Sequence, residues 1–184
     1  MDEKERLSKL QKKGKYLNHY LLGFTDAEGC FNVSLKKQEG TRFGWVLDPV
    51  FHITQHKNAK FVLELAMRQI NCGRIIPKPG QEDTLQFIVD NRKQLAEKVI
   101  PFFSRYNLLV KARDFEIFKE IVLGLERREH STKDGFERLL KLAFSMNMEG
   151  KQRRYKLEEV MKDLAGSSET TRQTPKGDDI VRPA

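Results

Sequence analysis

Cysteine is almost absent from this 184-residue sequence, which contains only Cys30 and Cys72. One pair is too few for a disulfide-stabilised scaffold, and neither cysteine stands in a CxxC or Cys/His cluster of the kind that binds zinc. We therefore expect two reduced, mostly buried thiols in an intracellular protein.

Long apolar runs are also missing from the sequence. No stretch approaches the roughly 20 apolar residues that a membrane-spanning helix needs. Residues 1–16 are charged throughout and lack the apolar centre of a secretory signal. We expect neither membrane insertion nor secretion.

Acidic residues are outnumbered by basic ones, 26 against 34, which gives a formal net charge of +8. This excess favours a polyanionic partner, either nucleic acid or a membrane surface. A merely soluble basic protein is the alternative. With 39% hydrophobic residues, the chain is long enough for one domain with a substantial core.

Hydrophobic periodicity predicts helices alternating with paired strands. The predicted helices are 16–27, 58–70, 91–105, 112–127, 133–146 and a short one ending at residue 164. The predicted strands are 31–35, 44–54, 73–78 and 84–89. This order indicates an α+β fold in which helices cover one face of an antiparallel sheet. We place the domain at residues 1–165 and a flexible polar tail at 166–184.

The segment LLGFTDAEG, residues 21–29, ends a predicted helix with two acids, Asp26 and Glu28, before a glycine stop signal, Gly29. The helix dipole disfavours negative charge there by about 0.3–1 kcal/mol per group. A divalent cation such as Mg²⁺ would compensate, because hard cations prefer carboxylate oxygens. Exposed acids at a fraying helix end are the alternative.

The same nine residues resemble the signature of the LAGLIDADG homing endonucleases, with Glu28 in place of the more usual second aspartate. The residues that fit the signature are Leu21, Gly23, Asp26, Ala27 and Gly29. The stretches FGWVLDPVFHITQHKN, CGRI and IVDNRKQLAEKVIPFF are similar to single-motif members encoded in introns of large-subunit ribosomal RNA genes of chloroplasts and bacteria. The resemblance spans about residues 17–164. It implies an αββαββα core with an antiparallel saddle-shaped DNA-binding sheet and extra C-terminal helices.

The resemblance also implies roles for individual residues. Glu28 and the backbone carbonyl of Ala27 would bind Mg²⁺, with Mn²⁺ or Ca²⁺ able to replace it in binding. Asp26 would be mainly structural, capping the partner region, with a weaker claim to the metal. Gln55 and Lys111 match catalytic positions that order water or offset phosphate charge. A surface lysine at a helix start is the alternative for Lys111.

The sequence contains one copy of the signature. The segment most like a second copy, IVLGLERREH at Ile121–His130, lacks the acidic ending and is predicted to be an ordinary core helix. In the family one active site needs two signature helices, so we expect a two-fold homodimer. Its interface would include Gly23, Asp26 and Ala27, and small residues four apart would let the two helices approach closely.

The polar face of the predicted sheet is the candidate base-reading surface, because a β-ribbon fits the DNA major groove. A polar face on any exposed sheet is the alternative. The predicted DNA-contacting residues on the sheet are Asn32, Ser34, Lys36, Gln38, Arg42, His52, Thr54, Arg74, Ile76, Lys78 and Gln86. The predicted phosphate contacts are Lys151, Arg153, Arg154 and Lys156.

By resemblance we expect a site-specific homing endonuclease that hydrolyses double-stranded DNA with metal at a long pseudo-palindromic site. The target would be an intronless ribosomal RNA gene, and the products would carry short 3′ overhangs. Its location would be the bacterial cytoplasm or nucleoid, or a chloroplast that encodes it. An intron maturase that binds intron RNA, and a non-catalytic DNA-binding regulator, are the alternatives on the same fold.

Overall fold

The computed structural model describes residues 5, 14–147 and 154–166, which form helices and one sheet. The elements, in order, are α1 (Gly14–Glu28), β1 (Gly29–Lys37), β2 (Trp45–His56), α2 (Lys60–Ile70), β3 (Arg74–Lys78), β4 (Gln81–Val89), α3 (Arg92–Gln94, Leu95–Val99 and Ile100–Arg105), α4 (Ala112–Glu126), α5 (Lys133–Ser145) and α6 (Leu157–Gly166). Short 3₁₀ turns at Lys57–Ala59 and Glu129–Ser131 precede α2 and α5. Within these ranges no helix is both long enough and apolar enough to cross a membrane.

The sheet is antiparallel, with strand order β1-β2-β4-β3. Phe51 on β2 lies opposite Phe31 on β1 and Val89 on β4. Because strand side chains alternate between the two faces, this register places Phe31, Phe51 and Phe87 on one face, where all three are buried. The predicted α+β fold is confirmed.

Aromatic packing holds the helices against this inner face. The ring of Phe31 lies 4.9 Å from Phe51, 5.4 Å from Phe103 of α3 and 5.3 Å from Phe118 of α4. Burial of each such side chain contributes about 1.5–3 kcal/mol. The helices therefore cover one side of the sheet and leave its other side for ligands.

Helix α3 contains an irregular turn shortly before Pro101. The chain stays helical from residue 92 to 105, but it passes through a π-helical turn at Leu95–Val99. The Ile100 N–H donates to the Leu95 carbonyl, one residue further back than in an α-helix. Proline has no N–H and its ring crowds the preceding turn, so a widened turn directly before Pro101 relieves both constraints.

Gly29 ends α1 as predicted, but for a different reason. The expected stop signal was a left-handed glycine, whereas Gly29 is not among the residues with positive φ and begins β1 directly. A Cβ at position 29 would lie 2.6 Å from Thr25 Cγ2 and 2.7 Å from the Thr25 carbonyl oxygen. Only glycine allows this tight passage from helix to strand.

The C-terminal boundary falls close to the prediction. Gly166, assigned to the tail from sequence, is the last residue of α6. Two of the four predicted phosphate contacts, Lys151 and Arg153, and residues 167–184 of the predicted tail lie outside the described residues.

Candidate active site and nucleic-acid interface

The two acids at the end of α1 have different surroundings. Asp26 Oδ2 accepts a hydrogen bond from the Leu109 N–H at 2.9 Å, and Oδ1 accepts one from the Lys111 N–H at 3.0 Å. Both carboxylate oxygens of Asp26 are thus engaged by the backbone that leads into α4. Within this chain Asp26 therefore caps the backbone that precedes α4.

Lys111 occupies the negative end of the α1 dipole. Its Nζ donates to the Asp26 carbonyl oxygen and lies 3.4 Å from the Ala27 carbonyl oxygen. A cation on the last carbonyls of a helix is stabilising. The charge compensation that we expected from a divalent cation alone is therefore supplied in part by Lys111.

Glu28 is the exposed last residue of α1. Across residues 14–147 and 154–166, no hydrogen bond or ion pair engages its carboxylate. In the same part of the chain there is no group of three or more His, Cys, Asp or Glu side chains that could hold a metal ion. Glu28 and the Ala27 carbonyl are hard oxygen donors that suit Mg²⁺, and the remaining ligands would come from water, phosphate or a second chain.

Gln55 lies near this helix end. It stands on the helix-covered side of β2, two residues beyond Ile53, which pairs with Gly29. Its Oε1 accepts a hydrogen bond from the His56 N–H at 2.8 Å. The side chain is half-buried, so its amide can reach solvent at this edge of the sheet.

One face of α1 is uncovered. Tyr16 and Tyr20 are 60% and 46% exposed, and they share this face with Gly23 and Ala27, which are also exposed. A Cβ at position 23 would meet no heavy atom within 4 Å. Small residues on this face were predicted from sequence, whereas the tyrosines beside them were not.

The loop fixed by Asp26 adds to this uncovered surface. Leu109 is 86% exposed and Val110 is 79% exposed. In the part of the chain that the structure describes, all exposed large hydrophobic side chains belong to α1 or to this loop. Sequence reasoning missed the loop because its anchor, Asp26, lies more than 80 residues away along the chain.

The strand register brings most of the predicted DNA-contacting side chains to the outer face of the sheet. Cys30, His52, Ile88 and Arg74 form one row across the four strands, and Thr54, Gln86 and Ile76 form another. Asn32, Ser34 and Lys36 share this face by alternation along β1. Gln86 Nε2 reaches Thr54 Oγ1 at 3.5 Å, so neighbouring polar groups are linked.

His52 on β2 and Lys78 on β3 lie on either side of β4. Burial lowers the pKa of His52, and the positive charge of Lys78 lowers it further. A lowered pKa favours the neutral imidazole, which has one donor and one acceptor.

The remaining predicted contacts lie at the periphery. Gln38 is in the turn after β1, where its N–H donates to the Gly44 carbonyl at 2.9 Å. Arg42 in the same turn donates to the Ser131 carbonyl at 2.6 Å, which ties it to the 3₁₀ turn before α5. The Arg154 guanidinium lies 5.5 Å from the centre of the Tyr155 ring, and Lys156 is exposed.

Two acidic side chains lie on the outer face that the sequence analysis did not predict there. Asp48 pairs with Lys36, and Asp90 forms a bidentate pair with Arg74. Nothing in a single sequence shows that these acids meet those bases, because the partners are 12 and 16 residues apart across the sheet.

A polar, largely basic sheet face next to an unpartnered carboxylate on a glycine-containing helix defines a candidate nuclease. Residues 21–122 match the family model described as LAGLIDADG endonuclease. The chain belongs to the LAGLIDADG endonuclease family, as the resemblance implied.

Individual relatives agree with this assignment. The chain is 45% identical to homing endonuclease I-ApeII of Aeropyrum pernix over 114 residues, which are 62% of this chain and 67% of that protein. It is 46% identical to DNA endonuclease I-CeuI of Chlamydomonas moewusii over 87 residues, 47% of this chain and 40% of that protein. A solved structure, archaeal intron-encoded homing endonuclease I-Vdi141I complexed with DNA, superposes with a TM-score of 0.78 at 40% identity. The superposition covers 84% of this chain and 98% of the I-Vdi141I chain.

Proposed function

We propose that this protein is a homing endonuclease that binds double-stranded DNA as a homodimer and hydrolyses one phosphodiester bond in each strand. The observation that carries the proposal is the contrast between the acids of α1. Asp26 is fully used in holding the Leu109–Lys111 backbone, whereas Glu28 has no partner in the described chain and faces solvent. A free carboxylate at this position is suited to a metal ligand.

A second copy of the chain explains the uncovered face of α1. The exposed side chains of Tyr16, Tyr20 and Leu109 would become buried in such a contact. This burial would stabilise the dimer, because burial of apolar surface contributes roughly 25 cal/mol per Å². Gly23 would let two α1 helices approach closely. A two-fold contact of this kind pairs each residue with the same region of the other copy and brings the two Glu28 side chains towards one another.

The residues present fit a divalent cation. Glu28 and the Ala27 carbonyl would hold Mg²⁺, which when bound polarises a scissile phosphate and lowers the pKa of bound water. Lys111, anchored on the α1 carbonyls, holds a positive charge beside the same site and would offset phosphate charge. Gln55 would orient a water molecule through its amide.

The sheet face would supply recognition. Its Asn, Gln, Arg and Lys side chains are those that read base edges in the major groove. Lys151, Arg153, Arg154 and Lys156 would contact phosphates. The structure describes the last two of these residues. The family resemblance further suggests a long pseudo-palindromic site in an intronless ribosomal RNA gene and short 3′ overhangs.

The proposal is tested with the purified full chain. Light scattering should give twice the chain mass, and Mg²⁺ should produce a small set of double-strand breaks in a library of genomic and ribosomal RNA gene fragments. EDTA should abolish cleavage, and sequencing of the ends should reveal a quasi-symmetric site. A monomeric protein, or one that binds intron RNA and never cuts DNA, would contradict the proposal.

A further inference from the structure

Acidic side chains on the outer sheet face call for an explanation, because negative charge weakens binding to a polyanion. Asp90 follows β4 and stands two residues beyond Ile88, on the same side of the sheet by alternation. Its partner is Arg74, the first residue of the edge strand β3 and the residue directly opposite Ile88. The pair therefore lies within the base-reading surface.

The contact between these two side chains is bidentate. Arg74 Nη1 donates to Asp90 Oδ1 at 2.6 Å, and Nη2 donates to Oδ2 at 2.7 Å. A guanidinium has five N–H donors fixed in one plane, so this contact leaves the edge that carries Nε–H unused by Asp90. The Arg74 side chain is 55% exposed and that of Asp90 36%, so the arginine is the more accessible partner.

We propose that Asp90 is a positioning residue that holds Arg74 with the free edge of its guanidinium directed at a guanine in bound DNA. The inference rests on the proposed function, because it requires the outer sheet face to lie on DNA. An arginine edge binds the O6 and N7 atoms of guanine in the major groove. A side chain that is already fixed loses less conformational freedom when it binds.

Stability does not account for the pair, since ion pairs between exposed side chains contribute little to folding. Asp83 provides a matched comparison. It lies on β4, the strand that Asp90 follows, and it pairs with Lys57. That hydrogen-bonded lysine lowers the pKa of Asp83 as Arg74 lowers the pKa of Asp90. Alternation places Asp83 on the side of Phe87, away from the base-reading surface.

The test compares Asp90→Asn with Asp83→Asn, two variants that make the same change in charge, one directly after β4 and the other within it. The wild-type protein first selects duplexes from a randomised pool in Ca²⁺. Dissociation constants are then measured for every single-base variant of the selected duplex, and for duplexes with 7-deazaguanine, which lacks the N7 acceptor, at each guanine. Thermal melts of both variants establish that each is folded.

Wild type should prefer guanine at one position per half-site by roughly 10- to 100-fold, and 7-deazaguanine there should weaken binding. Asp90→Asn should reduce that preference to about threefold or less while other positions keep theirs. Asp83→Asn should retain the full preference. Arg74→Lys, which keeps the charge but loses the planar fork, should behave like Asp90→Asn.

Two outcomes would overturn the inference. Asp90→Asn could leave every base preference as it is in Asp83→Asn, or it could tighten binding to all duplexes by the same factor, as removal of a repelling charge would do. If the wild-type protein selects no sequence from the pool, the proposed function itself fails, and this inference fails with it.

Discussion

Helices α1 and α4 have the same length of 15 residues, and each contains a glycine near its C-terminal end and finishes on an exposed glutamate. Their surroundings differ. A Cβ on Gly124 of α4 would lie 2.7 Å from Leu139 Cδ2 of α5, whereas a Cβ on Gly23 of α1 would meet nothing within 4 Å. The glycine of α4 has its packing partner within the chain, and the glycine of α1 has none in the described chain.

The comparison shows that helix composition alone does not distinguish a helix that is packed within the chain from one with an exposed face. Ile121, Val122 and Leu125 of α4 are buried, as predicted for an ordinary core helix. In α1 the buried side is formed by Leu17, Leu21 and Thr25, and the opposite side carries the exposed tyrosines. In the described chain, the exposed small-residue face of α1 is the feature that the proposed dimer would cover.

The largest expected difference between the two helices concerns their terminal glutamates. Glu28→Gln should lower the rate of DNA cleavage by about 100-fold or more, the scale on which loss of one stabilising group at a reaction centre shows. Glu126→Gln removes the same charge from the same helical position and should leave the rate unchanged. Single-turnover cleavage of the selected target in Mg²⁺ measures both.

Equal loss in the two glutamate variants would indicate a general charge effect. A wild-type rate in Glu28→Gln would show that the metal site is wrongly assigned. Binding of both variants to the target in Ca²⁺ provides the control for correct folding.

A smaller effect is expected from overfilling the α4–α5 contact. Gly124→Ala gains up to about 1 kcal/mol of helix propensity. It also forces Leu139 to move, and overpacking of a buried contact costs about 1–3 kcal/mol. The free energy of unfolding should fall, and urea denaturation measures it. An increase in stability would show that the two helices are less tightly packed than the structure indicates.

The smallest effect should have the opposite sign. Gly23→Ala has room for its methyl group within the chain, so the isolated protomer should gain up to about 1 kcal/mol. The same methyl group should weaken the dimer by holding two α1 helices apart. Thermal unfolding of dilute protein tests the first effect, and sedimentation at increasing concentration tests the second. If Gly23→Ala left the dimer dissociation constant unchanged, the dimer interface would not lie on this face of α1.

Much of the fold follows from local pattern. Alternation along β1 predicted that Asn32, Ser34 and Lys36 share one face, and this is confirmed because a period of two residues is a property of the strand alone. Element ends were less accurate: β2 runs to His56 rather than to residue 54. This end depends on the pairing of Gln55 and His56 with β4, which periodicity does not record.

Residue pattern was enough to predict that α1 ends in two acids, that small residues share one of its faces, and that a polar, largely basic sheet face accompanies it. Two further facts come from the packed chain: Asp26 binds the Leu109 and Lys111 backbone while Glu28 has no partner among the described residues, and Asp90 pairs with Arg74. The physical reason is distance along the chain. Residue spacing encodes contacts within one helix or strand, whereas these partners meet only after the sheet and helices have packed.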